Sequence, residues 1–285
     1  MKRHILLVTT ILALTACSDS KDETAAPKPP DSADKLYADA RQLLDEKEYE
    51  DAVAAFEEVE RQHPYSEWAG HAQIMAAYAH YQREKYDEAI AILERYVKLY
   101  PGEASAAYAY YLIALCYYEQ ISDVGRDQKM TELSMQALRD VIRRFPESEY
   151  ARDARIKLDL TIDHLAGKEM QVGRYYLGQD DYIAAANRFR FVVENYQTTN
   201  HTAEALHRLV ECYLKLGVKE EAQKYAAVLG YNFPTSLWYR DSYKLLVAEG
   251  VDIAKPTEPD SSRWDRMIPC SPDIASVAKQ SSFKY

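Results

Sequence analysis

The sequence predicts an all-α protein, a right-handed solenoid of five helix pairs, and three observations predict it. First, an aromatic or His, then Pro or a stand-in, then a small polar residue recur along the chain. They read His63-Pro64-Tyr65-Ser66, Tyr100-Pro101, Phe145-Pro146-Glu147-Ser148, Tyr196-Gln197 and Phe233-Pro234-Thr235-Ser236. Second, twelve residues before each proline position stands a small residue: Ala52, Ala89, Ser134, Ala185 and Ala222. Four residues further on comes a bulkier apolar one, Phe56, Leu93, Leu138 and Phe189, with Ala226 the exception. An (i, i+4) pair lies on one helix face, so each such helix carries a close-packing notch beside a core plug. Third, the composition agrees. The 285 residues are 47% hydrophobic, enough for a buried core, and include only 9 Gly, too few for folds built on many tight turns.

The partner helix of each pair is clearest in the last copy. There Leu206, Leu209, Val210, Tyr213, Gly217, Ala222 and Pro234 fall at the offsets of a tetratricopeptide repeat, with Val210 where Gly or Ala is usual. Val172, Gly173 and Tyr176 mark the same helix in the fourth copy, Ala76 and Ala77 in the second, Leu36 and Ala40 in the first. The motif positions are 37, 45, 51 and 37 residues apart, longer than a bare 34-residue repeat. The 45 predicts an irregular stretch near Ser122–Lys129, and the 51 a long helix from about Tyr150 to Gln179. Since no such unit buries its apolar face alone, residues 32–249 read as one continuous stack.

Flanking segments read differently. Residues 1–16 resemble a secretory signal: Lys2, Arg3 and His4 precede an apolar run too short to span a bilayer. Leu14-Thr15-Ala16-Cys17 resembles a bacterial lipobox, in which Cys17 carries N-acyl and S-diacylglycerol chains; the alternative is an ordinary signal peptide that contains a cysteine. Several acyl chains hold a protein to a membrane where one does not. Ser18 after the cysteine implies, in such lipoproteins, sorting to the outer membrane. Residues 17–31 form a tether with a short Pro cluster, and residues 250–285, with Pro256, Pro259, Pro269 and Pro272, read as a disordered or loosely packed tail. Cys116 and Cys212 fall within apolar helical patterns and read as buried small residues, a disulfide between them being the alternative; Cys270 lies in the tail.

Several function classes drop out. The charge of −10 argues against nucleic acid, whose affinity rests on Lys and Arg neutralising phosphates. No GxSxG, phosphate loop, HExxH or CxxC is present, so no enzyme is expected and no cofactor beyond the lipid. The best metal candidate, His201, Glu204, His207 and Glu211, puts only His207 and Glu211 on one helix face, and no metal site is expected.

What the sequence does offer is tyrosine, 24 against 6 Phe. In stacked helix pairs the first helix of each lines the concave surface. Taking positions −3, +1 and +4 from its small residue gives Tyr37, Arg41 and Leu44, then Ile74, Tyr78 and Tyr81. The third unit gives Tyr111, Leu115 and Tyr118, with Tyr108 a turn earlier; the fourth gives Met170, Arg174 and Leu177, and the fifth His207, Glu211 and Leu214. A groove of Tyr37, Tyr78, Tyr81, Tyr108, Tyr111 and Tyr118 suits capture of an extended peptide, since tyrosine gives contact area at low entropic cost and keeps a hydroxyl for exposed backbone. The alternative is that these rings pack between neighbouring helices.

Particular segments then resemble one family. Asp34-Lys35-Leu36-Tyr37-Ala38-Asp39-Ala40, Phe145-Pro146-Glu147-Ser148-Glu149-Tyr150-Ala151 and Val172-Gly173-Arg174-Tyr175-Tyr176 are similar to the BamD family of outer-membrane β-barrel assembly lipoproteins. So are Ala184-Ala185-Ala186-Asn187-Arg188-Phe189, Thr202-Ala203-Glu204-Ala205-Leu206 and Leu209-Val210-Glu211-Cys212-Tyr213, together with the unequal repeat spacing. The resemblance implies a non-enzymatic subunit anchored by lipid to the outer membrane and facing the periplasm. It implies docking of the C-terminal repeats onto a BamA-type insertase, beside accessory lipoproteins of the complex, and receipt of the aromatic C-terminal segments of unfolded barrel precursors by the N-terminal repeats. Asn187, Arg188, His207 and Glu211 are the expected docking residues, Arg188 foremost because a guanidinium suits a bidentate carboxylate partner; its alternative is a helix-surface ion pair. A tetratricopeptide lipoprotein organising cell-wall or septal enzymes is the competing reading.

Overall fold

The computed structural model describes residues 31–255; the signal segment, Cys17, all of the tether but Asp31, and the tail beyond Lys255, Cys270 included, lie outside the described residues. The described residues form eleven helices and no strand: α1 (Ala33–Asp45), α2 (Tyr49–Gln62), α3 (Glu67–Gln82), α4 (Tyr86–Leu99), α5 (Ala106–Glu119), α6 (Lys129–Arg144), α7 (Glu149–Gly178), α8 (Tyr182–Asn195), α9 (Thr202–Lys215), α10 (Lys219–Asn232) and α11 (Leu237–Ala248). Consecutive helices pack antiparallel, so the chain is a helical solenoid of five pairs closed by a single extra helix.

The recurring motif does two jobs. His63, Tyr100, Phe145, Tyr196 and Phe233 each end an even-numbered helix, with φ between −126° and −132° and ψ between 41° and 57°. A following proline excludes the helical region for the residue before it, which fixes four of the five. Tyr196 reaches the same conformation before Gln197, with the Thr199 hydroxyl donating to the Tyr196 carbonyl at 2.8 Å as Ser66 and Ser148 do at His63 and Phe145. The small polar residue then begins the next helix. Ser148 Oγ accepts from Ala151 N and Ser236 Oγ from Tyr239 N, both at 3.1 Å, satisfying an otherwise orphaned donor of the first turn.

The notch and plug fill the space between pairs. Ala52, Ala89, Ser134, Ala185 and Ala222 are all 0% exposed, as are Phe56, Leu93, Leu138, Phe189 and Ala226. Within the pairs, a left-handed residue turns the chain: Lys47, Glu84 and Asp180 at φ 65°, 59° and 59°, and Gly217 at 76°. Only the last of these is the residue type that adopts such a φ without cost.

Two insertions account for the unequal spacing. Between α5 and α6 the chain wraps around buried Gln128, whose amide donates to the carbonyls of Asp123, Val124 and Arg126 and whose Oε1 accepts from Thr131 at 3.0 Å. His164 of α7 pairs with the same oxygen at 3.0 Å, and Lys168 reaches the Gly125 carbonyl at 3.0 Å, so this loop is braced on the middle of α7. The second insertion is α7 itself, 30 residues and about 45 Å long. Its first half packs on α5 and α6 through Ala154, and its second half on α8 through Ala166 and Met170.

The end of the stack differs from the expected loose tail over the residues described. Val251 N bonds Leu246 O at 2.9 Å, Gln223 donates to Asp252 O at 2.9 Å, and Tyr239 Oη donates to Ala254 O at 2.6 Å. Val251 and Ile253 pack onto α9, α10 and α11, so residues 251–255 form a strap over the last unit. The apolar side chains at 251 and 253 explain it, since each finds a cleft between helices.

Candidate functional site

The odd-numbered helices α1, α3, α5 and α7 touch one another in succession, and their shared face carries the predicted tyrosines. Every one of Tyr37, Tyr78, Tyr81, Tyr108, Tyr111 and Tyr118 is half-buried. Tyr78 stacks on Tyr81 at 6.4 Å, and Tyr81 meets Tyr86 edge-on at 5.8 Å. Across α5, Tyr108 and Tyr111 both lean on Tyr150 of α7, at 5.5 and 5.3 Å. Tyr150 was not among the expected residues. It joins the row because α7 begins a full half-helix ahead of its own pair and so lies against α5. Tyr118 joins through the cluster around Leu138 and has Lys157 over its ring at 5.7 Å. Tyr37 stands apart, between Phe56 at 5.6 Å and Trp68 at 4.7 Å, where it borders an open cleft of about 600 Å³ with Arg41.

Two hydroxyls of this seam are held by carboxylates. Tyr81 Oη donates to Glu119 at 3.4 Å, and Tyr111 Oη donates to Asp153, which Lys157 also contacts at 2.8 Å. Burial, and secondarily Glu119, pushes the Tyr81 phenol up to about 12. Burial likewise raises Tyr108, whose neighbours Tyr78, Tyr150 and Tyr81 add to the effect, and Tyr111, where Asp153 contributes. These phenols therefore stay neutral, and since Tyr81 and Tyr111 already give their protons to Glu119 and Asp153, what they leave open is the ring edge.

The face is not as uniform as helical spacing alone suggests. The −3 position proves to be a seam between helices: Ile74, Met170 and His207 are buried there, and Tyr37 and Tyr111 are wedged against neighbouring rings. The +1 position is the one turned outward, with Arg41 and Arg174 exposed and Tyr78, Leu115 and Glu211 half-exposed. Stacked helices cross at an angle, so neighbours close over one edge of the stripe and leave the other open.

That correction bears most on His207. Rather than reaching a surface for a partner, it is 6% exposed beneath α11, with Nδ1 2.8 Å from Ser242 Oγ and its ring 5.3 Å from Trp238. Burial holds its pKa below the usual histidine value. Glu211 accepts from Arg208 at 2.8 Å, and Arg208 lies over Trp238 at 5.7 Å. Glu204 takes both of its oxygens to Arg174 at 2.9 Å, and His201 faces Asp163 at 3.8 Å. Of the four residues that composed the metal candidate, Glu204 and Glu211 thus share Arg208, at 3.6 and 2.8 Å, while His201 and His207 face Asp163 and Ser242.

Asn187 and Arg188 lie exposed on α8. Arg188 Nη1 donates to Glu169 of α7 at 3.2 Å and Asn187 Oδ1 accepts from Arg190 at 2.6 Å. An exposed pair of this kind contributes little to stability, so the guanidinium is available for exchange. Cys116 and Cys212 are buried free thiols in different cores, each pushed up to about 12 by burial, and neither is in a disulfide.

Comparison with known proteins agrees with this architecture. The family model described as outer membrane lipoprotein, YfiO, matches residues 29–229. Outer membrane protein assembly factor BamD of Caulobacter vibrioides is 50% identical over 76% of this chain and 71% of its own length. The BamD proteins of Rickettsia prowazekii and of Neisseria meningitidis serogroup A are 46% and 36% identical, over 82% and 83% of this chain and 92% and 93% of theirs. Helical solenoid, repeat spacing and relatives converge: the chain belongs to the BamD family of outer-membrane protein assembly factors.

Proposed function

We propose that the chain is a non-enzymatic scaffold of the β-barrel assembly complex, anchored through lipid on Cys17 and facing the periplasm. In this reading the tyrosine seam of α3, α5 and α7 receives the aromatic C-terminal segments of unfolded outer-membrane proteins. The C-terminal units, through Asn187, Arg188 and Glu211, hold a BamA-type insertase, and accessory lipoproteins attach alongside. The observation that carries it is the seam itself: rings that are neither core nor free surface, continuous across three helices. An extended segment laid across them gains apolar contact for its aromatics, while Glu119 and Asp153, which take the Tyr81 and Tyr111 protons, offer acceptors for its backbone N–H groups.

Two experiments test the two halves of the proposal. Tyr78→Ala with Tyr111→Ala is expected to weaken capture of a barrel-derived C-terminal peptide by about 2 kcal/mol or more, the loss typical of paired aromatic anchors. Unchanged affinity in a double mutant that still folds rejects the seam as receiver. Arg188→Glu breaks an exposed ion pair and turns a second carboxylate towards Glu169, so folding stability is expected to fall by no more than about 1 kcal/mol while the insertase no longer co-purifies. Insertase recovered at wild-type level removes Arg188 from the docking surface.

A further inference from the structure

The seam that would receive foreign segments faces a candidate within the same chain. Residues 256–285 lie outside the described structure, but their sequence is informative. Within 274–285 there are two lysines, Lys279 and Lys284, and no Asp or Glu, in a protein whose net charge is −10. Phe283-Lys284-Tyr285 alternates aromatic, basic, aromatic, and in an extended strand side chains two apart share a face. That is the chemistry the tyrosine seam is built to take, and the polar groups beside the rings match it. Glu119 accepts from Tyr81, Asp153 accepts from Tyr111 and pairs with Lys157, and Glu149 lies beside the Tyr150 hydroxyl, so carboxylates outnumber the cation there by three to one.

The strap makes the geometry workable. Residues 251–255 are fixed on α9, α10 and α11, so residue 256 departs from the last unit and not from a freely moving end. From α9 to α5 is four interhelical steps of 8–10 Å, about 40 Å across the stack, and a full offset along 14-residue helices brings this to about 45 Å. Residues 256–273 can extend over about 60 Å, enough to place 274–285 on the seam of the same molecule.

We infer that the segment 274–285 occupies the tyrosine seam of its own chain, with Phe283 and Tyr285 against the rings and Lys284 beside Glu119 or Asp153, so that an incoming barrel segment must displace it. This rests on the reading of the seam as a peptide receiver. A tethered occupant competes at an effective concentration in the millimolar range. A weak intrinsic affinity near 0.1–0.3 mM, as an order-of-magnitude estimate, therefore suffices to reduce capture of outside peptides about 4- to 10-fold.

The test compares full-length chains in binding a labelled synthetic peptide carrying the last strand of an outer-membrane porin. Phe283→Ser with Tyr285→Ser is expected to bind it about 4- to 10-fold more tightly than wild type, and adding Tyr78→Ala and Tyr111→Ala to erase that gain. Equal affinity of tail variant and wild type, with the tyrosine variants still weakening capture, overturns self-occupancy and leaves the receiver standing. Capture indifferent to Tyr78→Ala and Tyr111→Ala overturns both. A photo-cross-linking amino acid in place of Phe283 supplies a readout independent of affinity. Links within one chain to peptides of α3, α5 or the start of α7 are expected; links only between two chains, or only to other helices, overturn the inference.

Discussion

Replacing Gly173 by alanine pits two effects of known size against each other. Gly173 is buried in the second half of α7, and a Cβ built there would lie 2.5, 2.8 and 2.9 Å from three ring carbons of Phe189. Helix propensity alone favours alanine over glycine by about 0.8–1.0 kcal/mol. Phe189 is 0% exposed and cannot swing into solvent, so the ring and α8 must move by close to an ångström, and overpacking of that kind costs about 1–3 kcal/mol. The difference spans about 0–2 kcal/mol, and with three ring carbons inside 3.0 Å of the new Cβ the expected net effect of Gly173→Ala is destabilisation by about 1 kcal/mol. Gly178, at the end of the same helix, has no atom within 4 Å of its would-be Cβ, so Gly178→Ala is expected to be neutral or stabilising by up to about 0.8 kcal/mol. Urea unfolding followed by far-UV circular dichroism measures both. Phe189→Leu in the Gly173→Ala background should recover at least about 1 kcal/mol relative to additivity, because the offending ring edge is gone. Gly173→Ala as stable as wild type, or strict additivity with Phe189→Leu, would refute the claim that this glycine sets the α7–α8 approach.

Two further outcomes follow from sites described above. Burial lowers the pKa of His207 beneath α11, with Arg208 pushing the same way and Glu211, Asp241 and Glu204 opposing. Its contribution to stability is therefore complete above about pH 6.5 and is lost as pH falls below that value, so the thermal midpoint of wild type should fall between pH 7 and pH 5 more steeply than that of His207→Asn. Parallel profiles would show that the histidine is not what α11 seats upon. Lys47→Gly relieves a left-handed φ of 65° in the α1–α2 turn and is expected to stabilise by about 0.5–1 kcal/mol in the same urea assay; a loss would mean the Lys47 side chain is held by something other than its backbone.

How far the molecule can be read from its sequence depends on how local each feature is. The notch residues Ala52, Ala89, Ser134, Ala185 and Ala222 are legible because every copy must solve the same packing problem within one helix pair. Their uniform burial shows that spacing alone located the core. The long α7 was legible for a similar reason: a 51-residue interval with no proline over Tyr150–Gln179 leaves little but helix. The candidate site was legible only in part. Tyrosine content and helical spacing brought out Tyr78, Tyr81, Tyr108, Tyr111 and Tyr118, yet Tyr150 escaped because its neighbours lie on α5, about 40 residues away. His207 misled for the converse reason. The 3.6-residue period gives the azimuth of a side chain but not which helix stands in front of it, and α11, a first helix with no second, has no counterpart copy to announce what it covers. Val251 and Ile253 carry no period at all, and only the clefts they fill explain them.

The length of α7 has a consequence for orientation. Tyr150 faces α5 at one end of this helix and Gly173 faces Phe189 of α8 towards the other. Twenty-three residues at 100° each bring these two directions to roughly 140° apart around the helix axis. The count of residues in α7 thus works as an angular gauge. It sets the azimuth of the helices bearing Arg188 against the helices bearing the tyrosines, much as the pitch of a screw sets its head against its tip. Inserting one residue between Tyr150 and Gly173 would advance the distal units by only about 1.5 Å, yet swing them through about 100°. Every repeat could then remain intact while the tyrosine face and the Arg188 face pointed to different quarters.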